Sequence, residues 1–327
     1  MRSAPKRIWA LLDERQGNTS QTLGVAEALG MPFETVQIAF NHFIRIPNIL
    51  INRTTLGINK ANSPQFMPPW PDMVISTARR LGLVASYIKF QHPETFIAQI
   101  QWPGFPSAYF DLIATPKHDN VTGGNNVLLT VGAPHRVTLD TLAQHAEAWR
   151  ARIHHLPSPR IAVLVGGDSG SRIFSQTHAE KLAALSSTFA NSLGGSLLIT
   201  TSRRTGATVA ANIKGCLSAP HYFYDWHIAN GDNNPFYGFL GFADAVIATG
   251  DSISMCSEAC ATGKPVYVYS APDFVSPKHQ TFLDELFKLG LAKPLLENGN
   301  HLFVPPFRLD DARDIAQEIR KRVGIII

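Results

Sequence analysis

The sequence is poor in cysteine and has no long apolar run. Its three cysteines, Cys216, Cys256 and Cys260, are too few and too irregularly spaced for a disulfide framework, which indicates a reducing compartment. Cys256 and Cys260 are four residues apart on a predicted helix and have no partner cysteine or histidine at metal-ligand spacing, so these two predict core thiols and no metal site. The longest uncharged run, residues 182–202, is interrupted by glycines and hydroxyl side chains, so it predicts a helix, a turn and a strand instead of a membrane span.

Charge and targeting signals are also scarce. The formal net charge of +4 comes from 29 Lys and Arg against 25 Asp and Glu. No predicted helix carries a basic stripe, so we expect no nucleic-acid partner. The apolar residues 8–12 are too few for the core of a secretory signal peptide and run into Asp13 and Glu14. We therefore expect a cytoplasmic protein, either free or peripheral at the inner face of the membrane.

Short apolar runs alternate with amphipathic segments from one end of the chain to the other. Residues 8–12 predict a strand, a polar loop follows, residues 21–29 predict a helix, and residues 33–38 predict a second strand. The same rhythm resumes with the apolar run at residues 161–165. This order predicts an α/β fold with open parallel sheets, in which functional residues lie beyond the carboxyl ends of the strands.

The chain is long enough for two hydrophobic cores. It has 327 residues, 45% of them hydrophobic, and single cores seldom grow past roughly 250–300 residues. The proline-bearing residues 154–160 predict a linker. We therefore expect two Rossmann-like domains, at residues 1–155 and 156–327, with an amphipathic last helix over residues 310–323.

The most informative stretch follows the apolar run at residues 161–165. It is a tight polar loop that leads into a predicted helix and contains Gly166, Gly167, Asp168, Ser169, Gly170, Ser171 and Arg172. Backbone N–H groups and the positive end of a helix dipole converge at such a loop, which suits a phosphate or diphosphate. The alternative is a tight turn in which Asp168 or Ser171 caps the helix.

Polar residues also follow several other predicted strands. These sets are Asp13, Arg15, Gln16, Gly17, Asn18 and Gln21; Arg79 and Arg80; His118 and Asp119; Ser202, Arg203 and Arg204; and Gly250, Asp251, Ser252, Ser254, Met255 and Glu258. Paired arginines at a helix start oppose the helix dipole, which favours an anionic ligand at Arg79 and Arg80. Structural alternatives stay open: an Asx turn at Asp13, a first-turn acid at Glu258, and strand-end flanks at the other arginines.

Residues 41–70 form a segment of unusual composition. Many apolar side chains stand among only three basic ones, Arg45, Arg53 and Lys60, and a proline-rich exit follows. The apolar spacing predicts one or two helices. Such a segment is either ordinary core or a patch, rimmed by basic side chains, that docks on a membrane surface or a lipid-linked acceptor.

Three runs resemble nucleotide-sugar glycosyltransferases of the GT-B fold, notably the lipid-intermediate N-acetylglucosaminyl transferases of peptidoglycan synthesis. Residues 165–172 are similar to their glycine-rich loop, and residues 243–265 are similar to their donor-site signature, which ends in Glu-Ala and Gly-x-Pro. Residues 13–21 lie where that family has its first substrate-facing loop. The resemblance implies two domains that face each other across a cleft and a last helix that crosses back onto the first domain.

A second resemblance covers most of the chain and is to bacterial relatives of the plant mitochondrial-fission (elongated mitochondria) factor. It is carried by residues 13–21, 77–80, 116–119, 166–169 and 250–259. This group is similar to glycosyltransferases in fold, and some members are described as nucleoside-diphosphate-sugar epimerases. A short-chain-dehydrogenase epimerase needs a glycine-rich first strand and a Tyr-x-x-x-Lys pair, and this sequence has neither.

The glycosyltransferase resemblance implies a role for each set of residues. Residues 166–172, 202–204 and 250–255 would hold the nucleotide diphosphate, with Glu258 on the ribose hydroxyls. Arg15, Gln16, Gly17, Asn18, Gln21, Arg79 and Arg80 would contact the acceptor. Asp13, or else His118 or Asp119, would be the general base. No Asp-x-Asp motif occurs, which agrees with a site that needs neither a metal ion nor a tightly bound cofactor.

The implied function is a metal-independent glycosyltransferase that binds a nucleotide-diphosphate sugar in the cleft between its domains. A non-catalytic binding or adaptor protein of the mitochondrial-fission-factor group is a second possibility. It is favoured by the lack of a histidine in the first loop, where the glycosyltransferases often have one. A nucleotide-sugar epimerase of the same fold is a third possibility.

Overall fold

The computed structural model describes residues 7–104, 106–121, 124–231, 233–298 and 300–324. The chain divides into two compact units. The first runs to Arg136 and resumes at Asp310, and the second is Val137–Leu309. Each unit contains one six-stranded sheet in which every strand pair is parallel. The prediction of an α/β fold with parallel sheets is confirmed.

The strands and helices alternate along most of the chain. The strands are β1 (Ile8–Leu12), β2 (Glu34–Gln37), β3 (Met73–Thr77), β4 (Phe96–Ile100), β5 (Leu112–Pro116), β6 (Val127–Thr130), β7 (Arg160–Leu164), β8 (Ser196–Thr200), β9 (His221–Tyr224), β10 (Ala245–Thr249), β11 (Val266–Tyr269) and β12 (Lys293–Pro294). The helices are α1 (Gln16–Ala28), α2 (Asn48–Ile51), α3 (Ala78–Gln91), α4 (Leu139–Ile153), α5 (Gln176–Ser192), α6 (Ala207–Gly215), α7 (Trp226–Ala229), α8 (Phe236–Phe242), α9 (Ile253–Ala261), α10 (Pro277–Lys288) and α11 (Asp311–Val323).

The sheet of the first unit is covered on both faces. Its strand order is β2-β1-β3-β4-β5-β6. Along β1, Ile8 and Ala10 belong to a buried cluster with α1 and α11, whereas Trp9 and Leu11 belong to another with α3. Successive side chains of a strand point to opposite faces, so a strand that is buried on both sides is apolar throughout.

Polar contacts at both ends fix α11 to the first unit. Asp311 accepts hydrogen bonds from the backbone N–H groups of Val131, at 3.0 Å, and Gly132, at 2.8 Å. Arg320 donates to two carbonyl groups at the C-terminal end of α1, at 2.7 and 2.8 Å. Burial raises the pKa of Asp311 to about 6, although the two N–H donors act in the opposite direction.

In the second unit the strand order is β12-β11-β10-β7-β8-β9. Its boundary with the first unit precedes the predicted one at residues 155 and 156, because α4 packs on α8 within the second unit. Glycines permit this close approach. A Cβ on Gly241 would lie 2.3 Å from the carbonyl oxygen of Leu142, and one on Gly238 would lie 2.5 Å from Cδ1 of Trp149.

Residues 41–70 are mostly irregular, and only a 3₁₀ turn (His42–Arg45) and the single turn of α2 are helical. Arg79 fastens the segment, because its guanidinium donates to Asn48 Oδ1 and to the carbonyl groups of Ile44 and Ile46. Other apolar side chains of the segment are exposed: Phe43 (39%), Leu50 (71%), Leu56 (48%) and Met67 (56%). Among the described residues, no helix has the length and apolar character that a membrane crossing requires.

Candidate functional site

The loops that follow β7, β8 and β10 meet at one edge of the second sheet. These strands are neighbours, so their carboxyl ends lie side by side. The backbone N–H of Gly166 donates to the Thr249 hydroxyl at 2.8 Å, and the Gly166 carbonyl accepts hydrogen bonds from the hydroxyl groups of Ser202 and Thr205. Three loops that the sequence places far apart therefore form one hydrogen-bonded cluster.

A buried ion pair lies at the centre of this cluster. Arg204 Nη2 lies 2.8 Å from Asp251 Oδ2, and the same carboxylate oxygen accepts the N–H of Gly167 at 3.0 Å. The Asp251 side chain is fully buried, whereas a third of the Arg204 side chain is exposed. Arg204 Nη1 donates to the carbonyl groups of Gly167 and Asp168, at 3.2 and 2.8 Å. The guanidinium thus joins the loops and still has an exposed face.

The first two glycines of the loop have no room for a side chain. A Cβ on Gly166 would lie 2.2 Å from Asp251 Oδ2, and one on Gly167 would lie 2.1 Å from the carbonyl oxygen of Arg204. Gly167 also has φ near +152°, which L side chains rarely adopt. Backbone, instead of side chain, therefore forms the floor of the cluster.

The remaining residues of the glycine-rich loop mostly bond to one another. Asp168 accepts the N–H of Phe174 at 2.8 Å. The cap of α5 is Ser175, which accepts the N–H of His178, so the alternative in which Asp168 or Ser171 caps the helix is wrong. Ser169 and Arg172 exchange backbone hydrogen bonds around Gly170 and Ser171, and the Arg172 guanidinium donates to the Pro272 carbonyl at 2.9 Å.

Helix α9 begins beside the ion pair. Ser252 caps it by accepting the N–H of Met255 at 3.4 Å, and Ser254 lies in the first turn. Further along the helix, Glu258 is partly buried and accepts a hydrogen bond from the Tyr237 hydroxyl at 3.3 Å. Burial raises the pKa of Glu258 to about 7, and the tyrosine contact only partly opposes this effect. Glu258 is therefore balanced between its charged and neutral forms near neutral pH.

Several residues of this cluster were not among the predicted site residues. Thr249, Thr205 and Tyr237 reach it from a strand end, a loop and a neighbouring helix. His279, in the first turn of α10, is also part of these surroundings, because the charges of Asp251 and Arg204 affect its pKa. The one signal near His279 in the sequence was the Ser276-Pro277 pair, which is typical of a helix start. Arg203 was predicted here, and its side chain is exposed to solvent.

In the first unit, Asp13 is surrounded by donors. Its buried carboxylate accepts the N–H of Arg15 at 3.0 Å and the Asn18 amide at 3.3 Å, and Arg80 Nη2 lies 3.1 Å from Oδ2. Arg80 also pairs with Glu14 at 2.7 Å. Helix α1 begins at Gln16, whereas the sequence predicted that it begins at residue 21. Gly17 and Asn18 therefore lie in its first turn.

The other predicted residues of the first unit lie in separate contacts. His118 is buried in a 3₁₀ turn after β5, with Nε2 4.0 Å from Asp119 Oδ1, and Asp119 accepts the Thr115 hydroxyl at 3.1 Å. Gln21 accepts the side-chain amide of Gln101 at 3.1 Å. Within the described ranges, no group of three or more His, Cys, Asp or Glu side chains is placed to hold a metal ion.

Comparison with known proteins identifies the relatives of the chain. The family model described as Mitochondrial fission ELM1 matches residues 16–323. A Rickettsia prowazekii protein described as uncharacterized is 28% identical over 96% of this chain and 97% of its own length. The Mitochondrial fission protein ELM1 of Arabidopsis thaliana is 31% identical over 78% of this chain and 64% of its own length, so the match spans less than two thirds of the plant protein.

Solved structures show what the fold is similar to. The UDP-GlcNAc 2-epimerase of Methanocaldococcus jannaschii superposes with a TM-score of 0.56 at 11% identity, over 96% of this chain and 99% of its own. The UDP-GlcNAc 2-epimerase of Neisseria meningitidis bound to UDP-GlcNAc superposes with a TM-score of 0.50 at 12% identity, over 96% and 91%. At these identities the likeness shows the GT-B-like α/β fold alone.

Proposed function

The chain belongs to the Mitochondrial fission ELM1 family, and from this premise and its GT-B-like fold we propose that it binds a nucleotide-diphosphate sugar and transfers the sugar to an acceptor. The second unit holds the nucleotide diphosphate at the cluster around Asp251 and Arg204, and the first unit contacts the acceptor. Neither a metal ion nor a tightly bound cofactor takes part.

The observation that carries this proposal is the meeting of three strand-end loops at the start of α9. Ligands of open α/β sheets bind beyond the carboxyl ends of the strands. The first amides of a helix have no acceptor within it, and its dipole favours an anion there. Beside these amides stands the partly exposed guanidinium of Arg204, which suits phosphate oxygens. A diphosphate fits this combination of donors.

Glu258 supplies the second half of the nucleotide contact. It lies on α9 beyond the capping residue Ser252, with Tyr237 beside it. A carboxylate can accept hydrogen bonds from two neighbouring hydroxyl groups at once, as a ribose presents them. Desolvation of this partly buried side chain raises its pKa, so ionising the carboxylate costs the folded state free energy, and carboxylates perturbed in this way are frequent at functional sites.

In the first unit, the Asp13 carboxylate and the His118 imidazole are the groups that we propose as the general base for the acceptor. The donors around Asp13 hold it in position, so an acceptor hydroxyl must displace one of them before Asp13 can take its proton. His118, with the Asp119 carboxylate near it, is the other base that we propose. Arg80 and the first turn of α1 flank Asp13 and would contact the acceptor.

Ligand-induced stabilisation tests the donor site. We expect UDP-GlcNAc, or another nucleotide-diphosphate sugar from a panel with UDP, GDP, ADP and CMP, to stabilise the protein by about 2.7 kcal/mol at 100 times its Kd. Glu258→Gln keeps the shape but loses the carboxylate, so its affinity should fall at least about tenfold. Differential scanning fluorimetry of both proteins measures this. Glu297→Gln, which alters an exposed carboxylate, should bind like the wild type.

The stability of the ligand-free protein is the control on Glu258→Gln. The unfolded carboxyl has a pKa of 4.5 and the folded one about 7, so wild-type stability falls as pH rises through this range. At about 1.4 kcal/mol per pH unit, the variant should gain up to about 3 kcal/mol at pH 8 and little at pH 4.5. A variant that is more stable and yet binds less tightly cannot be explained by misfolding.

The outcomes separate the candidate functions. If wild type and Glu258→Gln bind with equal affinity, the proposal that Glu258 contacts the nucleotide is contradicted. Loss of UDP-GlcNAc in the absence of an acceptor would favour epimerisation over transfer. Stabilisation by no member of the panel would contradict nucleotide-sugar binding and leave the adaptor function.

We further propose that residues 41–70 contact an anionic lipid surface. The exposed Leu50 and Leu56 lie in a segment that also carries the exposed Arg45, Arg53 and Lys60, and apolar and basic side chains together bind such surfaces. Vesicles with phosphatidylglycerol should co-sediment with the protein, and Leu50→Asp/Leu56→Asp should lose at least about tenfold in affinity. Ile228→Asp, at an apolar side chain of the second unit that is more exposed than either leucine, should behave as wild type. Equal retention of all three proteins would contradict this proposal.

A further inference from the structure

Helix α10 turns one face toward the Asp251 loop. A Cβ on Gly250 would lie 2.7 Å from Cδ1 of Leu283, in the middle of α10, and 3.3 Å from Cγ2 of Val275, which precedes the helix, so α10 packs directly beside this glycine. Residues four apart on a helix share a face, and His279 stands four residues before Leu283. The imidazole of His279, which is half-buried, therefore lies on the face that α10 presents to the loop.

Ser276 sets the orientation of this imidazole. The Ser276 hydroxyl oxygen accepts the backbone N–H of His279 at 3.2 Å as the helix cap, and it lies 2.6 Å from His279 Nδ1. The Ser276 hydroxyl has one proton and two acceptor lone pairs, so it can donate to Nδ1 of the neutral ring while it accepts the backbone N–H. In that tautomer Nε2 carries the proton of the neutral ring and can donate to a ligand.

The charges around His279 come from three elements. Asp251 faces it from the loop after β10, Arg204 from the loop after β8, and Lys278 from α10 itself. Burial lowers the pKa of His279, Arg204 and Lys278 act in the same direction, and Asp251 opposes them. Two positive groups and one negative group therefore act on the ring, and an anion that arrives beside it would add to the effect of Asp251 in favouring the charged form of His279.

We propose that His279 is a diphosphate contact of the donor site, donating Nε2–H to a phosphate oxygen and taking up a proton when the diphosphate binds. This inference rests on the proposed function, because the anion is the diphosphate of the bound nucleotide sugar. The two negative charges of the ligand favour the imidazolium form. The added proton enters at Nδ1, where the Ser276 hydroxyl then turns to accept it.

Proton uptake on binding gives a direct test. UDP-GlcNAc is the probe, because both of its phosphates are esterified and do not titrate near neutral pH. Calorimetric titrations of the full chain at pH 7, in two buffers of different ionisation enthalpy, give the number of protons taken up. We expect a positive contribution in the wild type that disappears in His279→Gln. Proton release from Glu258 is a separate contribution, which Glu258→Gln removes.

The affinities of two His279 variants distinguish the contribution of the Nε2–H hydrogen bond from that of the imidazolium charge. His279→Gln keeps a neutral N–H donor and should bind UDP-GlcNAc several-fold more weakly at pH 6.5, with a smaller difference at pH 8.5. His279→Ala has no donor and should lose at least about tenfold at both pH values. His227→Gln, at an exposed histidine of the same unit, is the matched control and should keep the wild-type values.

The outcomes distinguish this inference from the proposed function. If UDP-GlcNAc binds with the same affinity and proton uptake to wild type, His279→Gln and His279→Ala, then His279 does not contact the diphosphate, while the donor site stands. If the wild type binds no nucleotide-diphosphate sugar, the donor site itself is wrong and this contact is wrong with it.

Discussion

Arg204→Met is expected to lower the free energy of unfolding of the second unit by about 3 kcal/mol, because it leaves the buried Asp251 carboxylate without its positive partner. This loss of stability is at the lower end of the range found when a buried ion pair is broken, because a third of the Arg204 side chain is exposed and water can reach it. The same substitution removes hydrogen bonds to the Gly167 and Asp168 carbonyls. Calorimetric unfolding measures the loss.

Two further variants make the Arg204 prediction specific. Arg203→Met changes the neighbouring, exposed arginine and should alter stability by no more than about 0.5 kcal/mol. Adding Asp251→Asn to Arg204→Met removes the uncompensated charge, while the amide oxygen can still accept the Gly167 N–H, so much of the stability should return. A loss below about 1 kcal/mol for Arg204→Met, the level typical of exposed pairs, would contradict a buried ion pair.

Gly166→Ala is expected to have an effect of similar size through sterics alone. Its methyl group would lie 2.2 Å from Asp251 Oδ2, so the carboxylate or the loop must move, and overpacking of this kind costs up to about 3 kcal/mol. Because the loop forms the floor of the proposed donor site, ligand stabilisation should also disappear. Thermal unfolding with and without UDP-GlcNAc measures both effects.

Gly215→Ala is the matched control for this substitution. Gly215 ends α6, and a Cβ there would have no atom within 4 Å. Alanine is favoured over glycine in a helix by up to about 1 kcal/mol, so this variant should be as stable as wild type or slightly more so. If Gly166→Ala also retained wild-type stability and ligand binding, the close contact between Gly166 and Asp251 would be contradicted.

The buried thiols of α9 illustrate how a sequence motif can be structural. Cys256 and Cys260 are both buried, and desolvation raises the pKa of Cys256 well above its usual value. A thiol is reactive as its thiolate, so Cys256 is unreactive at neutral pH. The prediction of core thiols agrees with this position.

The sequence by itself determined the features that depend on neighbours along the chain. Alternating apolar runs and helical segments predicted parallel α/β sheets, and the glycines and serines after residues 165 and 249 predicted tight loops and a helix start. In parallel sheets the carboxyl ends of strands lie at one edge, so the polar residues after β7, β8 and β10 could be expected to lie near each other. These are local or topological rules, and one chain is enough to apply them.

Only the tertiary structure decided which side chains meet. Nothing local indicates that Asp251 pairs with Arg204, that Arg79 holds residues 44–48 by its guanidinium, or that His279 comes from α10 to the same loop. The tertiary structure also places α4 in the second unit, because the glycines of α8 allow that helix to pack closely against it. Such contacts depend on shape, burial and charge between residues that are distant in the chain, and no periodicity in the sequence encodes them.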